Sequence, residues 1–238
     1  MSAMRPFLTA RWQHLAMLNY EVPPELLRDR VPRGTELDSY DGRTYVSVVG
    51  FMFLQTRVKG WRIPFHRDFE EVNLRFYVRR KGEEGWRRGV VFVKEIVPKA
   101  AIAWIARVFY GENYISCAMS HRWSEDDPPC VRYAWRSGGR DMSLELEPEG
   151  SFRPISEGSE EEFIAEHYWG YAAQRNGGAM EYRVEHPRWR IATARRSAWN
   201  GDASELYGSA FAEILNQSPR TAFLAEGSEV VVQEGNAL

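Results

Sequence analysis

Cysteine is scarce in this chain: Cys117 and Cys130 are the only two in 238 residues. Their separation fits no metal-binding spacing, and they are expected to be reduced thiols in a cytoplasmic protein, where disulfides are rare. Charge of one sign is also missing. The net charge is −2 at pH 7, so no global field recruits nucleic acid or an anionic membrane surface. No apolar run approaches the roughly 20 residues needed to span a bilayer. The N-terminal MSAMRPFLTARWQHLAM lacks the continuous apolar core of a signal peptide. Neither GxxxxGK(S/T) nor a GxGxxG that opens a helix after a strand occurs, which removes the common phosphate loops. No GxSxG supplies a serine nucleophile. The five histidines, His14, His66, His121, His167 and His186, fall in neither HxH nor HExxH spacing. No metal and no cofactor is expected. His186 precedes Pro187 and His66 follows Pro64-Phe65, and both are expected in loops.

Aromatic side chains are plentiful: 9 Trp, 11 Tyr and 12 Phe. Such residues build large cores and line pockets. Residues 45–54, YVSVVGFMFL, are apolar on both parities, as in a strand buried on both faces, with Gly50 at a bulge or bend. Residues 69–80, FEEVNLRFYVRR, alternate: Val72, Leu74, Phe76 and Val78 share one face, and Glu71, Asn73, Arg75 and Tyr77 the other. KGEEGW turns the chain, and residues 87–97 return as a partner strand. The segment AAIAWIARVFY, beginning after Lys99, suggests a buried helix that Pro98 starts. Helices are also expected over 160–175 and over 203–217, the latter with Tyr207, Phe211, Ile214 and Leu215 at helical spacing. Strands joined by hairpins outnumber helices, and no βαβ alternation is present. The expected architecture is β-rich α+β, one domain over residues 1–238, whose sheet either curls into a barrel or packs as two layers.

Two features bear on chemistry. The first is the polar face of strand 69–80. On an open sheet it would be the wet face. In a closed sheet it would turn a carboxylate, an amide, a guanidinium and a phenol into a cavity. The second is Lys99, which follows a proline at the mouth of an apolar run. It is either a solvated lysine at a helix start or an amine held where it would rather be neutral. A helix end disfavours the cation by only about 0.3–1 kcal/mol, so a reactive lysine would require real burial.

Several stretches taken together resemble a known family. They are FLTARWQHLAMLNYEVPPELLRDRVPRGTELDSYDGRTYVSVVGFMF, PFHRDFEEVNLRFYVRR, GVVFVKEIVPKAAIA and AEHYWGYAAQRNGGAMEYRVEHPRW. In order and wording they are similar to the bacterial family called domain of unknown function 2071, which is related to acetoacetate decarboxylase. The resemblance implies a curled, mostly antiparallel β-barrel with a few helices and an internal pocket. Acetoacetate decarboxylase forms a Schiff base from a lysine in a Pro-Lys-Lys motif. Pro98-Lys99 matches the first two positions, while Ala100 stands where the second lysine belongs. The resemblance implies that Glu71 matches a glutamate of the decarboxylase pocket, and in a lyase it would orient substrate or shuttle protons. Arg75, chosen from the strand pattern alone, would hold a carboxylate, with Asn73 and Tyr77 beside it. Two functions follow as expectations: a pocket that binds a small keto acid or other carboxylate without catalysis, or a lyase of decarboxylase or aldolase type that uses Lys99. The expected partner is a small-molecule ligand, not nucleic acid or membrane, and the resemblance permits a homo-oligomer.

Overall fold

Valine-rich and aromatic runs make long strands here, because branched and flat side chains pack well on a pleated surface. The computed structural model describes residues 6–62, 67–99, 113–124, 129–174 and 176–238. The principal strands are β1 (Pro6–Val22), β2 (Thr44–Val58), β3 (Phe69–Gly82), β4 (Gly85–Val97), β5 (Tyr114–Ser116), β6 (Ala118–Ser124), β7 (Cys130–Ser137), β8 (Arg140–Pro148), β9 (Trp169–Ala173), β10 (Ala179–Glu185), β11 (Arg190–Asn200) and β12 (Thr221–Gln233). With four two-residue strands they form a sixteen-stranded sheet among the described residues.

The sheet curls until its pairing returns on itself. β1 pairs with β12 and β2, β2 with β3, and β3 with β4, all antiparallel. β4 runs parallel to β9 through Trp169↔Gly89 and Gly170↔Val90. β9 pairs with β10, and β10 reaches β12 through Val184↔Val232 and Glu185↔Val231. From β12 a second arm leaves through β11, β8, β7 and β6. This arm packs over the outside of the ring: Val72, Leu74 and Phe76 share one core with Tyr133, Trp135 and Leu144. A second core fills part of the inside, with Leu15, Met17, Phe51, Tyr77 and Phe163. Curling and layering, posed as alternatives, are thus both realised.

Gly50 shows how the layers meet. A β-carbon on it would stand 2.5 Å from Cδ2 of Tyr133 on the overlying arm. The Tyr133 hydroxyl donates to the His14 carbonyl at 2.9 Å. His14 sits at a bulge of β1, with φ 55°.

The helices are shorter than the sequence suggests. Helix α1 spans Glu160–Ala165 only, not 160–175. The remainder becomes β9, because Gly170 and the aromatic residues around it are used for pairing with β4 and β10. The helix expected over 203–217 is two pieces, α2 (Ser204–Tyr207) and α3 (Ser209–Leu215). Gly208, with φ 91°, breaks it. The helix expected just after Lys99 lies outside the described residues. Among the described residues no helix is long and apolar enough to cross a membrane. Cys117 and Cys130 are not bridged.

Candidate functional site

Strand β3 turns its apolar face to the outer core and its polar face inward. Glu71, Asn73, Arg75 and Tyr77 are 2%, 2%, 9% and 1% exposed, so this is not a wet face. The register carries the polar row further. Asn73 lies opposite Val49 on β2 and Glu95 on β4, and Glu95 lies beside Tyr114 on β5. A bulge in β4 lets Leu74 face Lys94 while Arg75 faces Phe92, leaving Val93 extra. Glu95, Phe92 and Val90 can then all face the interior.

These residues surround a cavity of about 150 Å³. A hole of that size takes a molecule of roughly benzene's bulk. Its wall is largely aromatic, with Trp12, Phe51, Phe53, Phe92, Trp169 and Trp189. The polar groups in the wall are Glu71, Asn73, Arg75, Glu95, Tyr114, His167 and His186, with Thr56 and Tyr182.

Glu71 is held on both oxygens. Asn73 Nδ2 donates to Oε1 at 3.0 Å and the Tyr114 hydroxyl donates to Oε2 at 3.0 Å. Burial nevertheless raises its carboxyl to about 7, against the opposing pull of those two bonds and of the Arg75 charge. Burial also holds the Tyr114 phenol well above its usual range, helped by the charges of Glu71 and Glu95. Arg75 Nη2 donates to the Ile164 carbonyl at 3.1 Å. The guanidinium carbon lies 5.7 Å from the centre of the Tyr77 ring. Tyr77 itself bonds outward from the site: its hydroxyl shares a hydrogen with Ser47 at 2.5 Å, and Ser47 bonds Asn19 at 2.7 Å.

His167 follows α1, which is capped by Ser159 through the Glu162 amide at 3.2 Å. Its ring packs on Tyr77 at 4.7 Å and edge-on to Phe163 at 5.8 Å. Burial, with the nearby charges of Arg75 and Arg88, holds it well below the usual histidine range, so the imidazole is neutral. His186 is in a loop, as its proline neighbour suggests, yet it also lines the cavity, stacked 4.1 Å from Trp189.

Five lining residues carry buried polar atoms without a hydrogen-bond partner among the described residues. They are Trp12 Nε1, Thr56 Oγ1, Asn73 Oδ1, Arg75 Nε and both ring nitrogens of His167. Buried polar atoms are normally satisfied, so this concentration marks a surface built to meet something polar.

The fold brings Glu71, Asn73 and Arg75 together. It adds Glu95, Tyr114, His167 and His186, which no sequence motif singles out. Lys99 is half-buried, two residues past the end of β4, and is not among the described lining residues. Ala100 and the residues to 112 lie outside the described residues. No group of three metal-ligating side chains occurs among the described residues.

A family described as an uncharacterised conserved protein, DUF2071, matches residues 9–229. The chain belongs to the DUF2071 family. The uncharacterised protein YqjF of Bacillus subtilis strain 168 is 27% identical over 204 residues, covering 83% of this chain and 80% of its own length. Among solved structures, the enduracididine biosynthesis enzyme MppR matches with a TM-score of 0.71 at 13% identity, covering 98% of the DUF2071 chain and 88% of that one. MppR has also been solved complexed with pyruvate. Acetoacetate decarboxylase from Legionella pneumophila matches with a TM-score of 0.70 at 12% identity, over 98% and 88% of the two chains. The fold of this DUF2071 protein is therefore of the acetoacetate-decarboxylase-like type.

Proposed function

We propose that the DUF2071 cavity binds a small carboxylate, of the size of a three- or four-carbon keto acid, without covalent chemistry. The observation that carries this is Arg75. Its guanidinium is buried in a mostly apolar cavity, its Nε has no partner, and no carboxylate forms an ion pair with it among the described residues. Its neighbour Arg88, by contrast, is paired with Asp38 at 2.6 Å. A buried cation needs an anion. A carboxylate ligand would supply one, with the two-pronged geometry a guanidinium favours. Glu71 is protonated below about pH 7 and leaves that place open. The pyruvate complex of MppR, a protein of the same fold, supports a ligand of this size.

A second reading, imine formation at Lys99, has one observation in its favour. Glu95 and Val97 contribute to the inner side of β4, and Lys99 follows them with the same parity. One experiment separates the readings. Tryptophan fluorescence is followed while pyruvate or acetoacetate is added, since Trp12, Trp169 and Trp189 line the cavity. Borohydride is then added and the protein weighed. The proposal expects saturable quenching, weakened about tenfold to a hundredfold in Arg75→Met, with no mass gained. An adduct on Lys99, absent in Lys99→Ala, would establish the imine reading. Absence of saturable binding would remove the first.

A further inference from the structure

We infer that His167 is the second ligand-reading group of this cavity, bonding an oxygen next to the carboxylate that Arg75 holds. The site would then favour small acids with a neighbouring carbonyl or hydroxyl over plain acids. This rests on the carboxylate reading above and deepens it.

His167 is 6% exposed, lines the cavity, and has no hydrogen-bond partner on either ring nitrogen among the described residues. Its ring is packed against Tyr77 and Phe163, so a swing in search of a partner would disturb both contacts. Its neighbour in the wall, His186, has its Nδ1 at 2.9 Å from the Pro187 carbonyl oxygen. The nearby Ile164 carbonyl accepts from Arg75, and its pull on the His167 imidazole falls short of the burial that lowers its pKa.

Arg75 and His167 are neighbours. Both pack on the Tyr77 ring, at 5.7 and 4.7 Å. Both bear unpartnered nitrogens. A ligand carboxylate at Arg75 would therefore place its adjacent substituent near the imidazole. Beside a guanidinium and out of water, that imidazole stays neutral and offers one donor and one acceptor. A carbonyl oxygen can take the donor, and a hydroxyl can take either. A methylene can take neither, and the buried nitrogens would stay unmet.

The test compares three acids of equal carbon count: propionate, pyruvate and lactate. In the unaltered protein, pyruvate or lactate should bind about tenfold more tightly than propionate, the order expected of one hydrogen bond to a buried group. His167→Phe should abolish that preference, and a cooperative urea unfolding transition reports that the variant is folded. His167→Gln, with a donor and an acceptor, should restore part of the preference. Equal affinities for all three acids in the unaltered protein would overturn the inference and leave the carboxylate reading intact. So would a preference that survives in His167→Phe. Binding of none of the three would overturn both.

Discussion

Glu71 concentrates the electrostatics of the site. Its carboxyl is raised from 4.5 to about 7 by burial, so the folded chain holds that proton more tightly than the unfolded chain does. The contribution favours folding in full below about pH 4.5 and disappears as pH rises through about 7. That span corresponds to about 3 kcal/mol. Glu71→Gln keeps an acceptor for Asn73 and a polar group for Tyr114 but carries no charge. Urea denaturation of both proteins at pH 4.5 and pH 8 should show the stability difference moving by about 3 kcal/mol in favour of the glutamine variant at pH 8. A difference that does not change with pH would mean that burial does not raise the Glu71 carboxyl above its unfolded value. The same proton bears on the ligand. Above about pH 7 an ionised Glu71 opposes an incoming carboxylate, so pyruvate affinity should fall there, and less steeply in Glu71→Gln.

At the scale of elements, strand β3 was legible and its neighbours less so. Strict alternation from Glu71 to Val78 exposes its two faces in the sequence, because a side-chain period of two leaves few other arrangements. Which face meets the cavity was not legible, since only the closure of distant strands decides that. Glu95 was hidden by the bulge at Val93: simple alternation along β4 puts Val91, Val93 and Glu95 on one side, whereas the structure puts both valines in the outer core. His167 was hidden because 160–175 has helical character in isolation, and only pairing with β4 and β10 turns Trp169–Ala173 into a strand. Gly50 raised the suspicion of a bend, and the structure gives another reason for it. Gly50→Ala should cost about 1–3 kcal/mol by driving a methyl group into Tyr133. In a Tyr133→Leu background the same change should cost clearly less, because the two sites are in contact. Denaturation midpoints of the four proteins measure this, and equal costs in both backgrounds would contradict the contact.

Across the whole molecule, the layered arrangement explains where the buried charged groups sit. The outer arm covers the apolar face of β3, so that face does not compete for the interior. The inner side of the ring is then available for a cavity whose wall is aromatic and whose polar atoms are gathered around Glu71, Arg75 and His167. The pairing of Val184 with Val232 and of Glu185 with Val231 returns the sheet on itself and brings β10 and β12 to the cavity wall. A crystal structure of the protein grown with pyruvate addresses the central claim most directly. The expected result is a pyruvate carboxylate within about 3 Å of the Arg75 guanidinium nitrogens, with its keto oxygen towards His167. Pyruvate covalently joined to Lys99, or bound only on the outer surface while the cavity holds none, would contradict it.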